Sequence, residues 1–242
     1  MIVVLTATIS PCTDQAYLAI SNPKTRLGQY RKAVAFYLNC QEVSGVILCD
    51  NSLSTDSDFS NEEIMARKLR KPLEIMYIHT DENKVSQYGK GYGEAEILNH
   101  VVNNSSLLTH NDMFLKVTGR LKLTNADTLI RKAADADVDI VINQCGQASV
   151  DSRFFITNAC IYKQFFSEVK YSVNDRDGKY LESVYYDVIT GNSLKTECFH
   201  RFPRVKGQSG SLGYQYNDST WKRRIKLAWR DMLSVFKYYK VK

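Results

Sequence analysis

Apolar and polar positions alternate along the chain in blocks that predict strands and helices in turn. Four apolar runs have the length and β-branched content of buried strands, at residues 2–8, 45–52, 73–79 and 112–120, and a weaker run covers 135–143. Between them, apolar residues recur at helical spacing in segments 26–39, 60–69 and 94–103. This alternation predicts an open α/β fold with a mainly parallel sheet flanked by helices.

Two helix starts are marked by their residues. Asn22 followed by Pro23 is a typical start for the first helix. Ser60 with Glu63 three residues later has the pattern of a capping box, which predicts that Ser60 caps the second helix.

Length and composition fit one large domain, predicted at 1–220, with an added terminal element at 221–242. The chain has 242 residues, 44% hydrophobic and 24% charged. It contains no run of 18 uncharged apolar residues, and its first apolar run lacks a preceding basic segment, so we predict neither a membrane span nor a signal peptide. The six cysteines lack metal-ligand spacing and are predicted to be reduced, mostly buried thiols of a cytoplasmic protein.

The positive charge of the chain is concentrated at its end. Residues 221–242 carry eight Lys or Arg and one Asp, while the whole chain has a net charge of +6, so residues 1–220 sum to −1. A nucleic-acid-binding protein usually spreads basic residues over a face of its fold, so no nucleic acid is expected as a partner. Apolar residues in this segment recur at helical spacing: Trp221, Ile225, Trp229, Met232, Leu233, Phe236 and Tyr239.

A basic amphipathic helix of this composition is typical of a protein that attaches to a membrane surface, here the inner face of the plasma membrane. The other interpretation is that this C-terminal helix packs on its own domain with its basic face in solvent. The two interpretations are compatible.

Polar residues follow the predicted strands where a ligand would bind. In open α/β sheets ligands bind at the carboxyl ends of the strands. The hydroxyls and backbone amides that follow the first strand could hold a base or a ribose, and Asp50 could accept from a ribose hydroxyl or a uracil N–H. An ordinary turn after the second strand is the alternative for Asp50. The candidates are Thr6, Thr8, Asp50, Asn51, Ser52, Lys90, Gly91, Gly93, Glu94, Lys116, Gly119 and Arg120.

The sequence KGYGE, residues 90–94, matches neither the Walker phosphate loop nor the dinucleotide fingerprint. It is a glycine turn at a predicted helix N-terminus with Lys90 beside it, an arrangement that suits an anion. A plain turn is the commoner role for such glycines.

The combination of these motifs resembles glycosyltransferases of bacterial capsule and lipopolysaccharide clusters. The shared motifs are an early RLxQY helix, a strand ending in DNS, KGYGE, KVTGR and a late GQSGSLGY, and the resemblance covers roughly residues 3–216. It implies a GT-A-like domain with a Rossmann-type sheet that binds a nucleotide sugar at its strand ends. Arg26 and Tyr30 would join the motif residues above in the donor pocket, and UDP is the expected nucleotide by analogy of fold.

One departure from ordinary GT-A enzymes concerns the metal. Those enzymes carry Asp-x-Asp at the end of the fourth strand, where this chain has LKVTGR and no acid. The departing nucleoside diphosphate needs positive charge, which Lys and Arg can supply. We therefore expect Lys116, Arg120 and Lys90 to replace the metal, with no metal or other cofactor. The alternative is that Lys116 points to solvent from an edge strand and Arg120 forms a structural ion pair.

An inverting transferase also needs a base near the acceptor hydroxyl. Glu182 is the candidate, with Asp187 second, on a predicted helix whose apolar face includes Tyr180. A surface glutamate on an amphipathic helix is the alternative. Residues 200–214 are expected to form a lid over the diphosphate, with Arg201, Arg204, Lys206 and Ser209 as its contacts, or else an ordinary surface loop.

These inferences predict a hexosyltransferase that moves a sugar from a nucleotide-sugar donor to a glycan or lipid-linked glycan in capsule or O-antigen biosynthesis. Two alternatives stay open. A sugar-phosphate nucleotidyltransferase would normally show a glycine-rich first loop with a lysine, and acidic metal ligands, neither of which is evident. A non-catalytic, membrane-associated module that binds nucleotides or glycans would have the same fold.

Overall fold

The computed structural model describes residues 1–11, 20–52, 58–134, 136–208, 213, 215–216 and 221–241, with the backbone alone at 221–224. The strands in these ranges are β1 Ile2–Ala7, β2 Gly45–Asp50, β3 Leu73–Tyr77, β4 Met113–Thr118, β5 Lys122–Leu123, β6 Ile140–Val141, β7 Phe154–Asn158, β8 Thr196–Glu197, β9 Val205–Gln208 and β10 Gln215–Tyr216. The α-helices are α1 Pro23–Leu38, α2 Ser60–Leu69, α3 Glu82–Tyr88, α4 Lys90–Asn104, α5 Ala126–Ala134, α6 Ala159–Ile161, α7 Leu181–Gly191 and α8 Trp221–Val235. A π-helical turn, Tyr162–Phe166, continues α6, and two 3₁₀ turns follow at Val169–Tyr171 and Asp175–Asp177.

The central sheet has the strand order β3-β2-β1-β4-β7-β6-β8. Of these seven described strands, β7 runs antiparallel to its neighbours and the other six share one direction. The predicted mainly parallel α/β sheet flanked by helices is therefore confirmed. A smaller antiparallel sheet has the order β10-β9-β5.

The strand order reverses at β1. This strand pairs in parallel with β2 on one side and with β4 on the other, so that Thr6 lies between Cys49 and Thr118. The crevice at the carboxyl ends of β1 and β4 is therefore the topological switch point, where ligands bind in open α/β sheets.

Continuous apolar strands allow the sheet to be buried on both faces. Val3 and Leu5 of β1 pack into the layer that contains α1, α2 and α5, while Val4 between them packs into the layer of α4 and α7. This alternation follows from the two-residue period of a strand. The two layers hold the strand ends, and hence the switch point, in a fixed arrangement.

The two predicted helix starts have different outcomes. The Asn22 side chain accepts from the Thr25 N–H at 3.0 Å and Pro23 opens α1, as predicted. The capping box is wrong, because Ser60 is the first helical residue of α2 and its N–H donates to Asp58 at 2.8 Å. An acceptor two residues earlier replaces the predicted cap, and Glu63 pairs with Arg67 instead.

Three element boundaries differ from the sequence predictions. Helix α4 begins at Lys90, so its first turn contains the glycine-rich segment, and the preceding turn is made at Gly89, where φ is 97°. The fifth predicted strand is reduced to β6, and β7, which was not predicted, separates β6 from β4. Helix α8 ends at Val235, short of the predicted end at residue 242.

Most of the described cysteines are buried, as predicted, while the cytoplasmic location stays a prediction. Cys40, Cys49 and Cys198 are buried, Cys160 is half-buried, Cys145 is exposed, and all five are free thiols; Cys12 lies outside the described residues. In the part of the chain that the structure describes, no helix combines the length and the apolar character needed to cross a membrane.

Candidate functional site

Glu94 joins the two strand ends at the switch point. Its Oε1 accepts from the Thr6 hydroxyl at the end of β1 and from the Thr118 hydroxyl at the end of β4, both at 3.2 Å. Glu94 reaches this position because α4 begins at Lys90 and brings its first turn across the sheet edge. Its side chain is 24% exposed, so the carboxylate lies at the floor of an open crevice.

Lys116 supports this carboxylate from inside the sheet. Its ammonium is fully buried and donates to Glu94 Oε1, to the Ser152 carbonyl at 2.5 Å and to the Thr118 hydroxyl at 3.3 Å. Strand β4 lies between β1 and β7, so the interpretation that Lys116 points to solvent from an edge strand is wrong. The fourth strand does have an acid beside it, but the acid comes from α4.

The exits of β1 and β2 are pinned together by Asp50. This fully buried carboxylate accepts from the Ile9 N–H at 2.8 Å and from the Ser52 hydroxyl at 2.9 Å. Asp50 therefore holds together, from the protein interior, the segments that follow β1 and β2.

Beside Asp50, Thr8 donates to the Asn51 side chain at 2.7 Å. A small cleft over these exits is lined by Thr8, Ser10, Asn51, Ser52, Thr80, Glu82 and Val85. The Thr80 hydroxyl there is buried and has no hydrogen-bond partner among the described residues. The cleft thus offers hydroxyl and amide groups to a polar ligand.

Arg26 and Tyr30 of α1 hold the backbone at the end of β1. The Arg26 guanidinium donates to the carbonyls of Thr8 at 2.6 Å and Ile20 at 3.0 Å, and to the Tyr30 hydroxyl at 3.3 Å. The Arg120 guanidinium lies over the Tyr30 ring, 5.9 Å from its centroid. Both arginines therefore contact Tyr30 at the switch point.

Lys90 adds a third cation to this group. Burial lowers the pKa of Lys90, and the nearby charges of Arg26 and Arg120 lower it further, while Asp175 opposes the shift. Burial also lowers the pKa of Arg120; Tyr30 opposes this shift and Arg26 adds to it. Three partly or fully buried cations that repel one another form a concentration of positive charge suited to an anion.

The N-terminus of α4 is covered by the protein's own carboxylate. Asp175 Oδ2 accepts from the Gly91 N–H at 3.2 Å, and burial raises the pKa of Asp175. Gly91 fits against this segment because a Cβ there would lie 2.9 Å from Val173. The N–H of Gly91, predicted to face an anionic ligand, is therefore directed at Asp175 in this conformation.

Close backbone contact also accounts for Gly119. Its N–H donates to the Thr6 carbonyl at 2.9 Å, and a Cβ on Gly119 would lie only 2.5 Å from that oxygen. At Gly93 a Cβ would lie 3.1 Å from the Asn51 side chain. Both glycines therefore let other parts of the crevice approach one another.

Glu182 lies near the switch point and Asp187 does not. Glu182 Oε1 accepts from the Ser152 hydroxyl at 2.7 Å, and the Ser152 carbonyl accepts from Lys116. Asp187 is exposed. It comes five residues after Glu182, which places it about 140° further round α7. The predicted apolar face of this helix is corrected at Tyr180, which precedes α7 and is exposed.

The β9–β10 segment flanks the crevice through residues that sequence patterns missed. Gln29 accepts from Arg120 at 3.3 Å and donates to Gln208 of β9 at 3.3 Å. Arg153, ahead of β7, donates to the Tyr216 hydroxyl of β10 at 3.0 Å. Gln29 could have been found from the sequence, because it is the Gln of the RLxQY motif. Ser152 and Arg153 could not, because they precede β7, a strand that was not predicted.

The predicted lid residues do not come together at the crevice. Arg204 pairs with Asp231 of α8 at 2.9 Å, and Arg201 lies 4.0 Å from the same carboxylate. Lys206 of β9 lies opposite Lys122 of β5 in the antiparallel strand pair. Ser209, with most of the lid segment that follows it, lies outside the described residues.

Within the described residues, no group of three or more His, Cys, Asp or Glu side chains could hold a metal ion. A metal-independent reaction stays a prediction.

Comparison with protein-family models and with curated protein sequences finds no match. Several solved structures have a similar backbone fold. They include a protein of Desulfovibrio desulfuricans assigned as a nucleotide-diphospho-sugar transferase, 10% identical with a TM-score of 0.46 over 81% of this chain and 78% of that one. The galactosyltransferase LgtC is 13% identical with a TM-score of 0.48, over 83% and 74% of the two chains.

A third similar structure is the 2-C-methyl-D-erythritol 4-phosphate cytidylyltransferase of Francisella tularensis, 12% identical with a TM-score of 0.44, over 95% of this chain and 98% of that one. Sugar transferases and nucleotidyltransferases thus both occur among the similar structures. With TM-scores below 0.5, this similarity does not decide between them.

Proposed function

We propose that the chain is a glycosyltransferase that takes a hexose from a nucleotide-sugar donor. The observation that carries this proposal is the convergence of Lys90, Arg26 and Arg120 at the switch point, beside a cleft lined with hydroxyl groups. A nucleoside diphosphate has the matching parts, a polar base and ribose next to two phosphates. The cations would stabilise the negative charge that grows on the diphosphate as it leaves.

Each group of residues has a role in this proposal. The cleft of Thr8, Asn51 and Ser52 takes the nucleoside, and Arg120 with Lys90 takes the diphosphate. Glu94, at the floor of the crevice, accepts from a hydroxyl of the donor sugar. Lys116 acts through Glu94, because its ammonium is buried against that carboxylate and the Ser152 carbonyl.

Glu182 is the proposed base for the acceptor hydroxyl. A base must lie within hydrogen-bond reach of the proton that it takes. Ser152 holds Glu182 at 2.7 Å, and the same residue receives Lys116, so the base is oriented from the floor of the crevice.

The proposed acceptor is a glycan or lipid-linked glycan of a capsule or O-antigen pathway. The resemblance in the sequence motifs supports this part of the proposal. The basic segment 221–242 supports it further, since a lipid-linked acceptor would lie at the inner surface of the plasma membrane.

Calorimetric titration of the purified protein with UDP, GDP, CMP and dTDP tests the donor site. We expect one nucleotide to bind in EDTA with micromolar affinity and the Arg120→Ala variant to lose that binding. Arg131→Ala is the matched control, because Arg131 lies on α5 in an exposed pair with Glu42. Binding that appears only after Mn²⁺ is added would refute the metal-independent part, and no binding under either condition would refute the donor site.

Product analysis separates transfer from nucleotidyl chemistry. A transferase moves label from a nucleotide sugar to a glycan and releases a nucleoside phosphate. Release of pyrophosphate from a nucleoside triphosphate and a sugar 1-phosphate would instead identify a nucleotidyltransferase.

A further inference from the structure

Helix α8 carries an exposed apolar stripe. Ile225, Trp229 and Met232 of α8 are followed by Phe236 at intervals of four, three and four residues, and the Phe236 N–H, one residue past the helix, donates to the Met232 carbonyl at 3.2 Å, so the four residues line one side. Their exposed fractions are 62%, 58%, 41% and 76%. Six of the eleven exposed large hydrophobic residues in the described part of the chain lie between 225 and 238. A contiguous apolar surface of this kind marks an interface.

The opposite face of α8 is fixed to the domain by polar contacts. Asp231 is buried and accepts from the Phe202 N–H at 2.9 Å and from Arg204 at 2.9 Å. The Arg230 guanidinium lies 4.5 Å from the centroid of the Phe202 ring. The helix therefore packs on its domain and still presents its apolar stripe outward, so the packing interpretation is compatible with attachment to a membrane, which stays a prediction.

The charge around the stripe indicates its partner. The segment 221–242 has a net charge of +7; among its described cations Lys226 is exposed on α8, while Lys237 and Lys240 pair with Glu197. A segment whose composition combines Trp and Phe with many Lys and Arg matches the interface of an anionic bilayer, where aromatic rings enter the headgroup level and cations meet the lipid charge.

We propose that the stripe of Ile225, Trp229, Met232 and Phe236 is a docking face for an anionic membrane, and that the Asp231 contacts hold this face rigidly on the domain. Docking then fixes the orientation of the crevice relative to the lipid surface. The inference deepens the lipid-linked acceptor of the proposed function, but its test does not depend on nucleotide binding.

Tryptophan fluorescence can measure membrane contact without an added label, because the two tryptophans of the chain, Trp221 and Trp229, both lie in α8. A Trp221→Phe variant leaves Trp229 as the one fluorophore of its kind. We expect its emission to shift to the blue with phosphatidylcholine vesicles containing phosphatidylglycerol, and brominated lipid to quench it. Vesicles of phosphatidylcholine alone should bind far more weakly.

Substitutions separate the stripe from other apolar residues. In vesicle sedimentation, Ile225→Ser and Phe236→Ser should each weaken binding about tenfold or more, and Lys226→Gln about fivefold. Ile64→Ser and Tyr171→Ser are the controls, since these residues are 48% and 70% exposed elsewhere on the surface. Equal loss in the controls would refute a specific stripe. Dimers in sedimentation velocity that Phe236→Ser abolishes, without vesicle binding, would identify a second copy as the occupant instead.

Amide hydrogen exchange tests the rigid attachment. If α8 stays on the domain, the backbone amide of Phe202 keeps its protection when vesicles bind. Loss of that protection on docking would overturn the fixed orientation. Normal docking by a protein that binds no nucleotide would refute the donor site and leave this inference intact.

Discussion

The Lys116 ammonium is fully buried, whereas the Glu94 carboxylate with which it pairs is 24% exposed. Loss of the pair therefore affects the two charges differently. Without Lys116, water can hydrate the exposed part of the Glu94 carboxylate. Without Glu94, the Lys116 ammonium is buried away from water and has lost its counterion. The pair also determines where Glu94 stands between the ends of β1 and β4.

We expect Glu94→Gln to lower the free energy of unfolding by about 3 kcal/mol or more, since it leaves a buried charge without its counterion. Lys116→Met should cost less, because the exposed carboxylate can be hydrated. The double variant should recover part of the loss. Urea unfolding of the four proteins measures these differences, and equal losses in the two single variants would contradict the asymmetry.

A second prediction concerns the base. Glu182→Gln should reduce kcat by about 10²–10⁴-fold with little change in KM, because it removes proton transfer and leaves donor binding in place. Asp187→Asn is the matched control on the same helix and should keep normal turnover. Steady-state kinetics with the nucleotide identified by calorimetry provides the readout. A Glu182→Gln enzyme with nearly normal kcat would remove Glu182 from the mechanism.

The donor site should lose affinity at alkaline pH earlier than an ordinary lysine would allow. Burial lowers the pKa of Lys90, with Arg26 and Arg120 acting in the same direction. A bound diphosphate favours the protonated ammonium and raises the pKa again, so binding takes up a proton above the lowered pKa. Affinity is therefore full below that value and falls as the pH rises through it.

In Lys90→Arg the charge persists at high pH, so calorimetry should show an affinity that stays constant where the wild-type affinity falls. A wild-type affinity that is flat up to the ordinary lysine pKa of 10.5 would argue against a role for Lys90.

Acid stability should depend on Glu74. Burial raises the pKa of Glu74, but hydrogen bonds from Ser105 and Ser106 outweigh it, and the net pKa lies below the ordinary 4.5. A lowered pKa adds stability above the ordinary value, and this stability is lost as the pH falls through the lowered one. Glu74→Gln should therefore destabilise the protein at pH 7 and lose its effect in acid. Urea unfolding across this range, with Glu63→Gln as an exposed control, measures the difference.

The first half of the fold could be predicted because β1, β2 and β4 are continuous apolar runs bounded by polar residues. Strand β7 is a comparably apolar segment of five residues, but a short run of this kind does not reveal its direction or its neighbours. The Ser152 link between Lys116 and Glu182 depends on β7, so it could not be inferred before that strand was seen.

The C-terminal helix illustrates a different limit. Periodicity identifies an apolar face, but it does not say towards which side the face points. Asp231 is the single acid in a basic segment, and this exception is the residue through which the helix is attached. A lone opposite charge within a charged run was therefore the signal that the sequence carried.

The reversed direction of β7 has a consequence for how this scaffold can change. Because β7 begins at the ligand side, the loop ahead of Arg153 enters the crevice, while the chain after Asn158 leaves at the far side beside Asp112. If the proposed function holds, new substrate preferences can arise by varying the exposed residues 145–148 ahead of Ser152 without altering the parallel strands. The turn before Asp112 lies on the remote side, so an affinity tag or reporter inserted there should leave the proposed site undisturbed.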